Sequence, residues 1–291
     1  MDRRPIDRDR QSYRYYRNAV ERHWDPGTID LEPDREAIRH IDDLAFDGLR
    51  ETLALFGAGE TAVTEDLAPL AVVLEDVSDQ LFVTTQCYEE AKHADFFERY
   101  WRGVIDPEAE RRGLDPAGPT ADRWFSDAYE ELFARNERAM HRLLEADTPA
   151  NRAEAYAHYH LAIEGILAQT GYYAVQHEFS GTIEGVPEHP GLVEGFRRIR
   201  SDEGRHVGFG MWQLKRLIES EAVDPADVES TVGELVGLIQ RAVGVAAADD
   251  GTSMDEGELA TYAARKHRER MAQIVEDDRA IPSVEELVEI D

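Results

Sequence analysis

The most constraining feature of this chain is a repeated acid and histidine pattern set on apolar helical stripes. Glu90-Ala91-Lys92-His93 and Glu203-Gly204-Arg205-His206 each place a carboxylate three residues before a histidine. On a helix that spacing puts both side chains on one face, within reach of one ion. The spacing alone says little, because with 61 acidic residues among 291 chance supplies about two such pairs for ten histidines. The surroundings carry the argument. Glu90 shares a stripe with Val83, Cys87, Phe97 and Trp101, and Glu203 shares one with Phe196, Ile199, Leu214 and Leu217. Two lone glutamates are placed likewise, Glu60 with Leu53, Phe56, Val63 and Leu67, and Glu164 with Leu161, Leu167 and Ala168. An ionised carboxylate on a core-directed face costs several kcal/mol unless something neutralises it, and a divalent cation satisfies several at once.

In chain order the pattern is Glu60, Glu90 with His93, Glu164, then Glu203 with His206. That is the ligand set of di-iron and di-manganese carboxylate bundles, in which two helices each give a glutamate and two each give Glu-x-x-His. The intervals from 60 to 164 and from 90 to 203 are similar, as two facing helix hairpins require. Oxygen and imidazole donors suit iron or manganese, and six protein ligands for two ions leave positions open for dioxygen or a substrate. Two of the four carboxylates are expected to bridge the ions, and the sequence does not say which. Glu89 rivals Glu90, lying four residues before His93, but the matched spacing of the second half favours Glu90. No His-Glu-x-x-His helix of a zinc hydrolase occurs.

The rest of the chain reads as helix after helix, predicting an all-α, ferritin-like four-helix bundle with additional helices. Residues 1–34 are expected as an N-terminal arm, 35–280 as the dimetal helical domain and 281–291 as an acidic tail. Ile38, Ile41, Leu44, Leu49, Leu53 and Phe56 recur at threes and fours. Further helices are predicted near 59–75, 77–104, 122–146, 150–178, 189–220, 225–247 and 255–277. Breaks are expected at Asp106-Pro107, Gly113 to Gly118, Gly181 to Pro187, Pro190-Gly191 and Asp224-Pro225. A net charge of −29, with only Lys92, Lys215 and Lys266 as lysines, disfavours nucleic acid and anionic lipid as partners. It suits a salt-rich cytoplasm, as in a halophile, where screening weakens self-repulsion. Cys87 is the single cysteine, so neither an internal disulfide nor a cysteine zinc site is expected. No apolar run long enough for a membrane span or an export signal is present.

At its motif residues the chain resembles the ligand-binding oxidases related to the small subunit of ribonucleotide reductase. The resemblance runs from about residue 44 to about 215. It rests on Phe56-Gly57-Ala58-Gly59-Glu60-Thr61-Ala62-Val63-Thr64, on Tyr88-Glu89-Glu90-Ala91-Lys92-His93, on Tyr159 with Glu164, and on Gly195-Phe196-Arg197 leading to Asp202-Glu203-Gly204-Arg205-His206. It implies one manganese and one iron, a di-iron pair being the alternative, and a long-chain fatty acid or similar apolar ligand over the metals. It also implies two-electron oxidation driven by dioxygen (O2), a homodimer, and an ether cross-link between Val63 and Tyr159. Spacing alone would choose Val63, one turn from Glu60, but not Tyr159. Five residues before Glu164 is about 140° away on an α-helix, so Tyr159 reaches the site only through a distortion such as a π-bulge, and His160 is the more obvious neighbour. Phe97 stands where radical-forming reductase subunits usually carry a tyrosine, and Glu60 where many carry aspartate. Both weaken the alternative of a ribonucleotide reductase small subunit. Helices beyond a minimal bundle argue against an iron-storage ferritin.

Overall fold

The computed structural model describes residues 5–114, 117–249, 256–275 and 280–289, and among these residues no strand occurs. In chain order the helices are α1 (Gln11–Glu21), α2 (Glu32–Ala37), α3 (Asp43–Asp66), α4 (Ala68–Val73), α5 (Val77–Tyr100), α6 (Asp106–Arg112), α7 (Asp127–Glu145), α8 (Pro149–Tyr156), α9 (Gln169–Phe179), α10 (Pro190–Glu219), α11 (Pro225–Asp249), α12 (Glu256–Val275) and α13 (Val284–Leu287). Two stretches are wound as π-helix, Trp101–Ile105 after α5 and Ala157–Ala168 between α8 and α9. The structure is all-α, as the sequence predicts.

Local chemistry starts these helices. The Asp42 and Asp76 side chains accept backbone N–H bonds at the starts of α3 and α5, as Ser126 and Thr148 do for α7 and α8. Prolines at the first positions of α8 and α10 lack an N–H that the first turn leaves unused anyway. Several predicted boundaries differ, among them the run from Ile38, which breaks at Ile41 before the Asp42 cap of α3. Gly57 and Gly59 do not interrupt α3, which runs unbroken to Asp66, because packing against α5 outweighs the cost of glycine in a helix. Asp106-Pro107 does not end the run begun at Val77, since the proline falls in the opening turn of α6 and the π-wound turn before it keeps the backbone helical.

The four helical rods that carry the acid and histidine motifs are α3, α5, α8 continued through the π-segment into α9, and α10. α3 packs on α5, and the π-segment packs on α10 and α11. Two apolar clusters fill the bundle, and three rods pass from one to the other at their motif. Leu53, Phe96 and Ile199 belong to one cluster, Val63, Val83 and Val207 to the other. The polar centre therefore sits between two dry cores. Of the segment expected as an arm, α1 lies against α5 and α10 with Tyr15 and Ala19 buried. In the acidic tail, Ser283 and Glu286 form a reciprocal cap on α13, Leu287 is buried, and α13 packs on α10.

Candidate metal centre

All six residues of the repeated pattern converge. Glu60, Glu90, His93, Glu164, Glu203 and His206 are each at most 7 % exposed. Their donor atoms form two groups, Glu60, Glu90, His93 and Glu203 in one, and Glu90, Glu164, Glu203 and His206 in the other, each within 4.8 Å. Glu90 and Glu203 belong to both. His93 Nδ1 lies 3.5, 3.3 and 3.4 Å from carboxylate oxygens of Glu60, Glu90 and Glu203, yet makes no hydrogen bond. His206 Nδ1 lies 3.0, 3.3 and 3.3 Å from Glu90, Glu164 and Glu203.

Burial raises Glu60 and Glu164 well above the ordinary carboxylate range, the latter helped by Glu203, and it raises Glu203 as well. Burial acts on Glu90 in the same sense, but His206 and His93 outweigh it and hold Glu90 well below that range. Four carboxylates crowded in a dry core must take up protons or cations. The orphaned Nδ1 of His93 and the unpartnered Oε2 of Glu164 are buried atoms that a cation would satisfy. Four negative charges also match two divalent cations, so the donor set fits a metal pair.

The far side of each imidazole is fixed by a carboxylate from the opposite motif. His93 Nε2 lies 3.1 Å from Asp202 Oδ2, and His206 Nε2 lies 2.9 Å from Glu89 Oε2. Such partners set the tautomer and orientation of a ligating imidazole. Lys92 Nζ donates to Asp202 at 2.7 Å, Trp24 Nε1 donates to it at 2.8 Å, and Arg205 bridges Asp202 and Glu89. Glu89, first weighed as a ligand, holds His206 from behind. Reading single ligands misses these residues, although the signal was present. Glu89-Glu90-Ala91-Lys92-His93 and Asp202-Glu203-Gly204-Arg205-His206 share the order acid, glutamate, small residue, base, histidine. The small third residue of the second copy is required, since a Cβ on Gly204 would lie 2.4 Å from the Val284 carbonyl oxygen.

Tyr159 reaches the centre because of the π-winding. In a π-helix the hydrogen bonds run between residues five apart, which brings Tyr159 onto the face of Glu164. Its hydroxyl donates to Glu90 Oε1 at 2.9 Å, and burial followed by the carboxylates of Glu164 and Glu90 raises its pKa well above the ordinary value. His160, the neighbour that α-spacing favours, turns away, 3.4 Å from Gln86 Oε1, while Gln86 Nε2 donates to Glu164 at 3.0 Å. Val63 and Tyr159 line one cavity of about 950 Å³, together with Glu60, Glu90, Glu164 and Glu203. Its walls are otherwise largely apolar, including Leu55, Phe56, Ile163 and Leu167, and among the described residues no lysine or arginine lines it.

No family model matches the chain. Solved structures do. The chain is similar to the R2-like ligand-binding oxidases. A tyrosine-to-phenylalanine variant of such an oxidase, with an aerobically reconstituted Mn/Fe cofactor, superposes with a TM-score of 0.81 at 26% identity, covering 92% of this chain and 95% of that one. A valine-to-isoleucine variant with anaerobically reconstituted Mn/Fe has the same coverage and identity and a TM-score of 0.82. A glycine-to-leucine variant with a non-activated Mn/Mn cofactor covers 92% and 94% at 0.82 and 26% identity. The likeness to R2-like ligand-binding oxidases thus spans the bundle and its flanking helices, and the buried cluster is consistent with a dioxygen-activating dimetal oxidoreductase.

Proposed function

We infer that this chain is a dimetal carboxylate oxidase, acting by two-electron oxidation with dioxygen on or beside a bound apolar ligand. The observation that carries the reading is geometric. Two four-residue donor groups share Glu90 and Glu203 and open into an apolar cavity. Glu60, Glu90, His93 and Glu203 would hold one ion and Glu90, Glu164, Glu203 and His206 the other, Glu90 and Glu203 belonging to both groups. The Mn/Fe cofactors of the similar structures support one manganese and one iron, and the same donors accept an iron pair. When bound, such a pair supplies electrons for activating dioxygen.

The chain's own residues define what can be oxidised. The cavity walls are largely apolar, and with no basic residue among the described lining residues the metals would be the cationic partner of an anionic head group. A long-chain fatty acid or similar ligand meets that description. Tyr159 holds its proton towards Glu90, and Val63 is a nearly fully buried aliphatic side chain of the same cavity. Joining the Val63 side chain to the Tyr159 oxygen forms a C–O bond and releases two protons and two electrons, with dioxygen as the oxidant. A homodimer and a salt-rich cytoplasm complete the reading, resting on the resemblance and on 61 acidic against 32 basic residues.

Aerobic loading of the metal-free protein with manganese(II) and iron(II) tests the proposal. Peptide mass spectrometry should find the Val63 and Tyr159 peptides joined and lighter by two hydrogens, while anaerobic loading leaves them separate. Tyr159→Phe should lose the product yet keep close to two metal ions per chain. Separate peptides after aerobic loading would rule out the cross-link, and a chain that binds no metal would overturn the whole reading.

A further inference from the structure

Outside the apolar cavity lies a second site of opposite character. Arg135, Arg138 and Arg142 occupy one face of α7, at the i, i+3 and i+7 positions, and all three line a hollow of about 590 Å³. His158 of the π-segment and Thr231, Glu234 and Leu235 of α11 complete it with Glu154. This gathers three guanidinium groups in a chain whose net charge is −29.

The carboxylates nearby orient the arginines without filling the hollow. Arg135 Nε donates to Glu131 at 2.7 Å and its Nη1 lies 3.6 Å from Glu234. Arg138 donates to Glu131 at 3.3 Å, and Arg142 donates to Glu154. These contacts occupy only some of the five donors on each guanidinium. The decisive group is His158, which is 5 % exposed, lines the hollow, and has an Nδ1 without a hydrogen-bond partner. Burial, then Arg135, Arg142 and Arg138, push its pKa down to about 4. Glu154 and Glu234 also line the hollow, so the arginines offer an anion their free donors rather than an unopposed charge.

We propose that this hollow binds a small dianionic oxyanion, a phosphate or the phosphate group of a small molecule, gripped by Arg138 and Arg142 and bonded to His158. Guanidinium forks match the tetrahedral oxyanion and donate to it in pairs, and the neutral imidazole gives a further donor. Nothing in the oxidase chemistry uses these residues, which lie outside both donor groups and outside the apolar cavity.

The test is a titration of the full chain with sodium phosphate at constant ionic strength made up with sodium chloride, following the side-chain nitrogens of histidine by NMR. His158 should shift saturably with phosphate and not with chloride alone. Arg138→Gln with Arg142→Gln should weaken the midpoint by about tenfold or more, with an unchanged Tm, since both arginines lie on the surface. Glu154→Gln supplies the opposite sign, because it releases Arg142 from its carboxylate and should tighten binding, which a merely damaged fold would not do. An unmoved His158, equal response to chloride, a midpoint indifferent to the arginine changes, or weaker binding in Glu154→Gln would each overturn the proposal.

Discussion

Replacing Asp202 by asparagine removes one charge and almost no volume, and the structure sets out the consequence. Asp202 accepts from Lys92 at 2.7 Å, Trp24 at 2.8 Å and Arg205 at 2.5 Å, and faces His93 Nε2 at 3.1 Å. Arg205 keeps Glu89 as a second anion, but the ammonium of Lys92, on a residue 6 % exposed, would face a neutral amide oxygen in place of its carboxylate, beside the Trp24 ring at 4.6 Å and the Tyr88 ring at 6.0 Å. Stranding one member of a buried ion pair costs about 3–5 kcal/mol. At roughly 2–4 °C per kcal/mol the Tm should fall by roughly 6–20 °C. The loss of the carboxylate behind His93 should also weaken metal binding by roughly 10- to 100-fold. Calorimetric melting and metal titration measure the two effects separately. Lys92→Met in the Asp202→Asn background should recover part of the Tm and none of the metal affinity, because it removes the stranded cation but not the fault behind His93. A single variant with wild-type Tm and wild-type metal affinity would refute the reasoning.

Three further outcomes are expected. Burial raises Asp66 to about 6 from an ordinary 3.8, so its proton is bound more tightly in the folded chain, and stability present below about pH 4 is lost as pH rises to 6. Asp66→Asn, which can still accept from Asn136, should therefore leave stability unchanged in acid and raise it by up to about 3 kcal/mol above pH 6, as denaturant curves across pH would show. Gly210→Ala places a Cβ 2.1 Å from that of His160, so α10 and the π-segment must separate, which chemical denaturation should register as a loss of about 1–3 kcal/mol. Lowering salt should lower the Tm, because 61 acidic against 32 basic residues repel more when screening weakens, and a Tm independent of salt would remove the halophile reading.

The all-helical architecture and the six converging side chains were legible in the sequence because both follow from one period. Carboxylates that recur at helical spacing on apolar stripes must point inward, and four inward carboxylates with two imidazoles meet wherever four such rods pack. The paired five-residue motif was legible too, but the partners of its outer acids were not. Glu89 and Asp202 serve histidines of the opposite motif, 117 and 109 residues away, and no local spacing records which rod lies opposite. Spacing did not choose Tyr159, which entered only through the resemblance, and the tertiary structure shows how it is placed. On an α-helix it would point away from Glu164, and only π-winding over Ala157–Ala168 turns it onto Glu90, while His160, favoured by spacing, turns towards Gln86. The identity of the shared carboxylates belongs to the same category. Glu90 and Glu203 fall in both donor groups because their rods face each other across the bundle, a relation between helix axes that the order of residues along the chain does not contain.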